Sequence, residues 1–183
     1  MGLDDFAHKL RSALADADIP YMVVGSLASS FHGEPRTTRD VDIVIDPTPR
    51  ALSGLVADVQ AAGCYASADA AQEALIQRSQ FNVVDPKTGW KADLIILGRR
   101  PFSRSEFERR LPADLPGQLA FVATAEDTII SKLDWAREGE SERQLRDVAS
   151  IIAVSGDALD RAYLERWIRE LGLQDLWAQA GGV

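Results

Sequence analysis

Two hydrophobic rhythms run along this chain. Between Asp4 and Ala17 the apolar residues Phe6, Ala7, Leu10, Leu14 and Ala17, with Leu3 just ahead, keep the spacing of one helix face. Pro20 closes that helix. Tyr21-Met22-Val23-Val24 then predicts a short buried strand, broken at Gly25-Ser26. A short helix over 27–31 stops at Gly33, and a second strand spans Asp40 to Ile45. Thr48 or Pro49 opens a helix that carries Leu52, Leu55, Val56 and Val59 and ends at Gly63. Ala68 to Gln77 is helical. Phe81 to Val84, the turn cluster Asp85-Pro86-Lys87-Thr88-Gly89, and Trp90 to Leu97 predict a hairpin. A short polar helix over 102–110 and a strand over 119–122 follow. From Ala125 onward the rhythm is helical only, over 125–137, 143–154 and 159–171, with loops at Glu138-Gly139-Glu140 and Ser155-Gly156-Asp157. The expected architecture is α/β (α+β): a mixed-sheet body over residues 1–123 and a helical C-terminal subdomain over 124–183 packed on it.

Composition narrows the class. The chain has 183 residues, of which 46% are hydrophobic and 26% charged, the balance of a folded globular domain rather than a disordered one. No apolar run approaches the roughly 18 residues of a membrane helix. The acidic start Met-Gly-Leu-Asp-Asp lacks the pattern of a signal peptide, and the one cysteine, Cys64, can form neither an internal disulfide nor a cysteine-based zinc site. A cytoplasmic setting is expected. With 28 acids against 20 bases the net charge is −8, so any polyanionic substrate must meet a bound metal or a local basic patch. One such patch exists: residues 99–110 hold five arginines against two glutamates. It reads either as a solvated helix face or as a landing strip for RNA, with Phe102 or Phe107 stacking a base.

The chemistry lies elsewhere. In Arg39-Asp40-Val41-Asp42-Ile43-Val44-Ile45 the alternation of a strand puts Asp40 and Asp42 on one face and Val41, Ile43 and Ile45 on the other. Neighbouring carboxylates repel one another unless a cation offsets them, and Mg²⁺ suits such hard oxygen ligands. Asp93, in Lys91-Ala92-Asp93-Leu94-Ile95-Ile96-Leu97, is a third carboxylate entering an apolar strand. If that strand pairs beside Asp40–Ile45, the three acids share a metal cluster able to support phosphoryl transfer, and Asp93 is the best placed to draw the acceptor's proton. Upstream, Gly25 lets the backbone approach a phosphate, and Ser26 opens a helix whose free N–H groups favour one.

These residues resemble the nucleotidyltransferase superfamily typified by DNA polymerase β, with its Gly-Ser, its Asp-x-Asp on the next strand and its third Asp on a later one. The run Gly25-Ser26 … Gly33-Glu34-x-Arg36-x-Thr38-Arg39-Asp40-x-Asp42 is similar to the bacterial AbiEii-type nucleotidyltransferases, many of which are toxins paired with an antitoxin. Ala125 to Leu133 and Arg143-x-x-Arg146-Asp147 are similar to that group's downstream motifs, in which a lysine and an aspartate, here Lys132 and Asp147, serve the nucleotide site. Three residues after Asp147 that group usually has another acid; here the position is Ser150. The resemblance implies Mg²⁺, or Mn²⁺, held by Asp40, Asp42 and Asp93. It implies a nucleoside triphosphate held by Gly25, Ser26, Lys132 and Asp147, and an acceptor hydroxyl on RNA, a protein or a small molecule.

Plainer readings stand beside these. Asp40 and Asp42 suit a solvated strand end or a turn salt bridge to Arg36 and Arg39, Asp93 an ion pair with Lys91 or Lys87, Ser26 a helix cap, Lys132 a surface lysine and Asp147 a partner for Arg143. Together they describe a non-catalytic module that binds a nucleotide or a partner protein.

Overall fold

The structure, a computed structural model, describes residues 2–38, 40–139 and 141–182. Arg39 of the motif run and Glu140 of the expected loop lie outside the described residues.

Helix α1 (Leu3–Asp16) leads into β1 (Tyr21–Val24), α2 (Gly25–His32) and β2 (Asp40–Ile45). Then come α3 (Pro49–Ala61), β3 (Tyr65–Ala66), α4 (Ala68–Gln77), β4 (Gln80–Val84), β5 (Lys91–Ile96) and α5 (Pro101–Glu108). Strands β6 (Leu111–Pro112) and β7 (Phe121–Val122) flank a 3₁₀ turn, and α6 (Ala125–Glu138), α7 (Ser141–Ser155), α8 (Arg161–Leu171) and α9 (Gln174–Gln179) complete the described chain. Local chemistry explains the starts. Thr48 accepts a hydrogen bond from the Ala51 amide with Pro49 in the first turn, Ser67 accepts from Ala70, and Thr124 accepts from Asp127. The apolar stripes are the buried ones: Phe6, Leu10 and Leu14 on α1, and Leu52, Leu55, Val56 and Val59 on α3.

The chain forms two compact units that are not consecutive in sequence: Met1–Val24 with Thr38–Val122, and Gly25–Thr37 with Ala123–Val183. The first contains a mixed sheet whose order among the described residues is β3-β4-β5-β2-β1-β7-β6. β1 is antiparallel to β2 and parallel to β7, while β4 and β5 form the expected antiparallel hairpin. β2 and β5 are parallel, the pairing made possible by the long crossover through α3 and α4. Val41, Ile43 and Ile45 of β2 and Leu94 and Ile96 of β5 are buried, so one face of these central strands is apolar core. In the second unit α2 packs against α6 and α7, and α6 also against α8 and α9. Phe102 and Phe107 of α5 are buried, which removes them as stacking platforms for a base.

One part-buried ion pair ties the hairpin turn of the first unit to α1. Asp85 accepts from the Lys87 amide at 2.9 Å and from Lys9 Nζ of α1 at 2.9 Å. The Lys9 hydrogen bond and the turn amides hold the Asp85 carboxyl below the usual carboxylate value. A depressed folded pKa means stability that is present above the unfolded value of about 4 and lost as pH falls through the folded one. Urea unfolding should therefore show Asp85→Asn less stable than the parent at pH 7. The gap between the two should close as pH falls below about 4; a constant gap would mean that the charge of Asp85 contributes nothing.

Candidate active site

The parallel register of β2 and β5 decides the geometry of the three acids. Asp40 lies beside Lys91, Asp42 beside Asp93, and Ile43 beside Leu94. Asp42 is also flanked by Val24 of β1, and Asp93 by Asn82 of β4. Register partners on adjacent strands project to the same face, so Asp40, Asp42 and Asp93 share the face opposite the apolar core. Two carboxylates in adjacent strands, about 4.8 Å apart at the backbone, repel by about 1 kcal/mol even under full water screening. A cation beside such a pair offsets that repulsion.

A cation from the chain itself is present. Lys91 Nζ lies 3.1 Å from Asp93 Oδ2 and 4.0 Å from Asp40 Oδ1. Burial pulls Lys91 down, but the Asp93 hydrogen bond and the charges of Asp93, Asp40 and Asp42 together hold its ammonium above the ordinary lysine value. The other oxygen of Asp93, Oδ1, is buried and has no hydrogen-bond partner. Among the described residues no three His, Cys, Asp or Glu side chains converge as a ready cage for an ion. The donor set still suits a hard divalent cation: three carboxylates on one face, two of them in register, and one buried oxygen with its lone pairs unused.

The second unit carries a separate polar cluster. Gly25, the residue after β1, has φ of +62°, a left-handed conformation that glycine adopts without strain and that turns the strand end into α2. Ser26 follows in the first turn and is buried. Its Oγ accepts from Arg36 Nη2 at 2.6 Å, which leaves its own hydroxyl proton to donate elsewhere. The same Arg36 nitrogen donates to Asp147 Oδ2 at 3.1 Å, and Lys132 Nζ donates to that oxygen at 2.6 Å. Ser29 Oγ lies 3.5 Å from it. Ser26, Lys132 and Asp147 are thus brought together, as two cations around one carboxylate at a helix N-terminus. Lys132 is not a surface lysine: its side chain is 7% exposed, and burial lowers its pKa despite the hydrogen bond and charge of Asp147. Arg36 Nε is buried without a partner.

The ion pair of Asp93 with Lys91, the plainer of the sequence readings, is formed. Nothing local shows that Arg36 reaches Asp147, 111 positions away. Ser150 has a structural task. Its Oγ accepts the Glu34 amide at 2.6 Å, and a Cβ on Gly33 would meet that oxygen at 2.7 Å, so α2 ends tight against α7 and the chain leaving it is pinned just before Arg36. His32 donates from Nε2 to the Ala123 carbonyl at 2.7 Å, and burial holds it below the ordinary histidine value, a structural tie.

No family model matches the chain, and no curated protein matches it. Solved structures do. The antibiotic-resistance factor ANT(2'')-Ia in complex with adenylyl-2''-tobramycin superposes with a TM-score of 0.61 at 13% identity, over 93% of this chain and 97% of that one. The same factor's solution structure gives 0.57 at 14%, over 90% and 92%. An antigenic nucleotidyltransferase-like protein from Paracoccidioides brasiliensis gives 0.54 at 16%, over 97% and 91%. At these identities the likeness is one of fold: the chain has a nucleotidyltransferase-type fold, mixed sheet and helical C-terminal region included.

Proposed function

We propose that this protein is a metal-dependent nucleotidyltransferase that moves a nucleoside monophosphate from a nucleoside triphosphate to an acceptor hydroxyl. The observation that carries the reading is the β2–β5 register, which sets Asp42 beside Asp93 and Asp40 on the same face within a nucleotidyltransferase-type fold. Asp40, Asp42 and Asp93 would hold Mg²⁺ or Mn²⁺, which when bound neutralises phosphate charge and lowers the pKa of the attacking hydroxyl. Asp93 Oδ1, the unpartnered oxygen, accepts the hydroxyl proton as the new O–Pα bond forms. The bond from Pα to the bridging oxygen breaks, and pyrophosphate leaves. Taken by itself, the second unit's cluster has the groups that receive phosphate oxygens: the amides of Gly25 and Ser26, the Ser26 hydroxyl and the cations Lys132 and Arg36, with Asp147 orienting both cations.

A small cationic polyol is the acceptor class the charge favours. A chain of net charge −8 attracts such a molecule and repels nucleic acid, and ANT(2'')-Ia has been solved in complex with adenylyl-2''-tobramycin. The further reading, a toxin held by an antitoxin protein, rests on the AbiEii-like motif run alone.

The test incubates the protein with each α-labelled nucleoside triphosphate, Mg²⁺, and either an aminoglycoside panel or cell extract. Label should pass to a small molecule and pyrophosphate should appear. Nucleotide binding without any transfer would instead support the regulatory module.

A further inference from the structure

The carboxylate face of the sheet already contains a positive charge, and its position is informative. Lys91 is the register partner of Asp40 and stands two residues before Asp93, so strand alternation commits it to the face the three acids share. Its ammonium is 3.1 Å from Asp93 Oδ2 and 4.0 Å from Asp40 Oδ1, joining two acids that are not register partners. Asp93 consequently spends one oxygen on Lys91 and keeps Oδ1 unpartnered.

We infer that Lys91 is a resident cation that competes with the divalent metal for Asp93 and Asp40, so that a metal entering the site must displace its ammonium. The inference rests on the metal-dependent reading above. Lys91 is a positioning residue here: it acts on the carboxylates and takes no part in the bond changes. It offsets the repulsion of the acids when no metal is bound. Its unit charge a few ångströms from a divalent ion weakens metal binding by about tenfold or more, even with water-like screening. Metal uptake by the chain alone is therefore weak, and a nucleotide that carries its own metal supplies the extra binding energy for displacement.

The test is Mn²⁺ binding to the full chain, followed by electron paramagnetic resonance without nucleotide, for the parent, Lys91→Met and Lys91→Arg. Methionine keeps the length and apolar stem of lysine, and arginine keeps the charge. Circular dichroism confirms that each variant is folded. Lys91→Met should bind Mn²⁺ at least about tenfold more tightly than the parent, with Lys91→Arg staying close to it. Its melting temperature should be lower than the parent's without metal and should recover as Mn²⁺ is added. Equal binding by parent and Lys91→Met overturns the competition and leaves the metal reading standing. No binding by any of the three, even with a non-hydrolysable nucleoside triphosphate present, overturns both.

Discussion

Replacing Asp93 by asparagine is expected to lower nucleotidyl transfer by about 10²- to 10⁴-fold, the usual loss when a positioned general base is removed, while the protein stays folded. Two effects on stability oppose each other. The variant loses the Lys91–Asp93 ion pair, and it relieves the repulsion between Asp93 and its register partner Asp42. An ion pair whose lysine is 36% exposed contributes little, so the net change should stay within about 1 kcal/mol. The measurements are kcat in the label-transfer assay and the urea midpoint on the same preparation. Transfer at the parent rate would remove Asp93 from the chemistry. Transfer lost together with the fold would leave only a structural role.

The largest loss of stability is expected at Asp147. Its carboxylate receives Lys132 and Arg36 on one oxygen, and the Lys132 side chain is 7% exposed. Asp147→Asn keeps the shape and removes the charge, leaving the buried Lys132 ammonium beside the Arg36 guanidinium without a counter-ion. Breaking a buried pair in this way costs about 3–5 kcal/mol, a large share of the roughly 5–15 kcal/mol that holds a domain folded. The deficit should also depend on pH. Burial already sets Lys132 below the ordinary lysine value. Between that folded value and the unfolded one near 10.4, the unfolded chain binds more protons, and stability rises with pH. Without Asp147 the folded value drops further, so the deficit is greatest near neutrality and shrinks as pH approaches about 10. Adding Lys132→Met to Asp147→Asn should recover part of the loss, because it removes a buried charge that lacks its counter-ion. Additive losses, or a deficit that ignores pH, would show that the Lys132 charge is not what Asp147 supports.

The errors of the sequence reading follow from where each element's stability comes from. Long periodic segments such as Leu3–Asp16 and Pro49–Ala61 are legible because one amphipathic face and a cap specify them locally. The two-residue strands Tyr65–Ala66 and Leu111–Pro112 and the six-residue helix Gln174–Gln179 were not foreseen. Such short pieces have too little internal bonding to stand alone and exist because a neighbour is there to pair or pack. The helix foreseen over 27–31 begins at Gly25, because a glycine at φ +62° bends the strand end directly into it. Of the two sequence readings of Lys132, a residue of the nucleotide site and a surface lysine, the second fails. Lys132 is buried because Asp147, on another helix, meets its ammonium.

By itself the sequence determined which side chains share a strand face, since alternation is a local property of the extended backbone: Asp40 with Asp42, and Lys91 with Asp93. It also placed Ser26 at a helix start. Only the tertiary structure decided that β5 lies parallel to β2 with Asp93 beside Asp42, that Lys91 stands between Asp93 and Asp40, and that Arg36 joins Ser26 to Asp147. Register depends on how the crossover and hairpin close against the core. A one-residue slip would turn every side chain of β5 to the other face, and no local propensity encodes that closure.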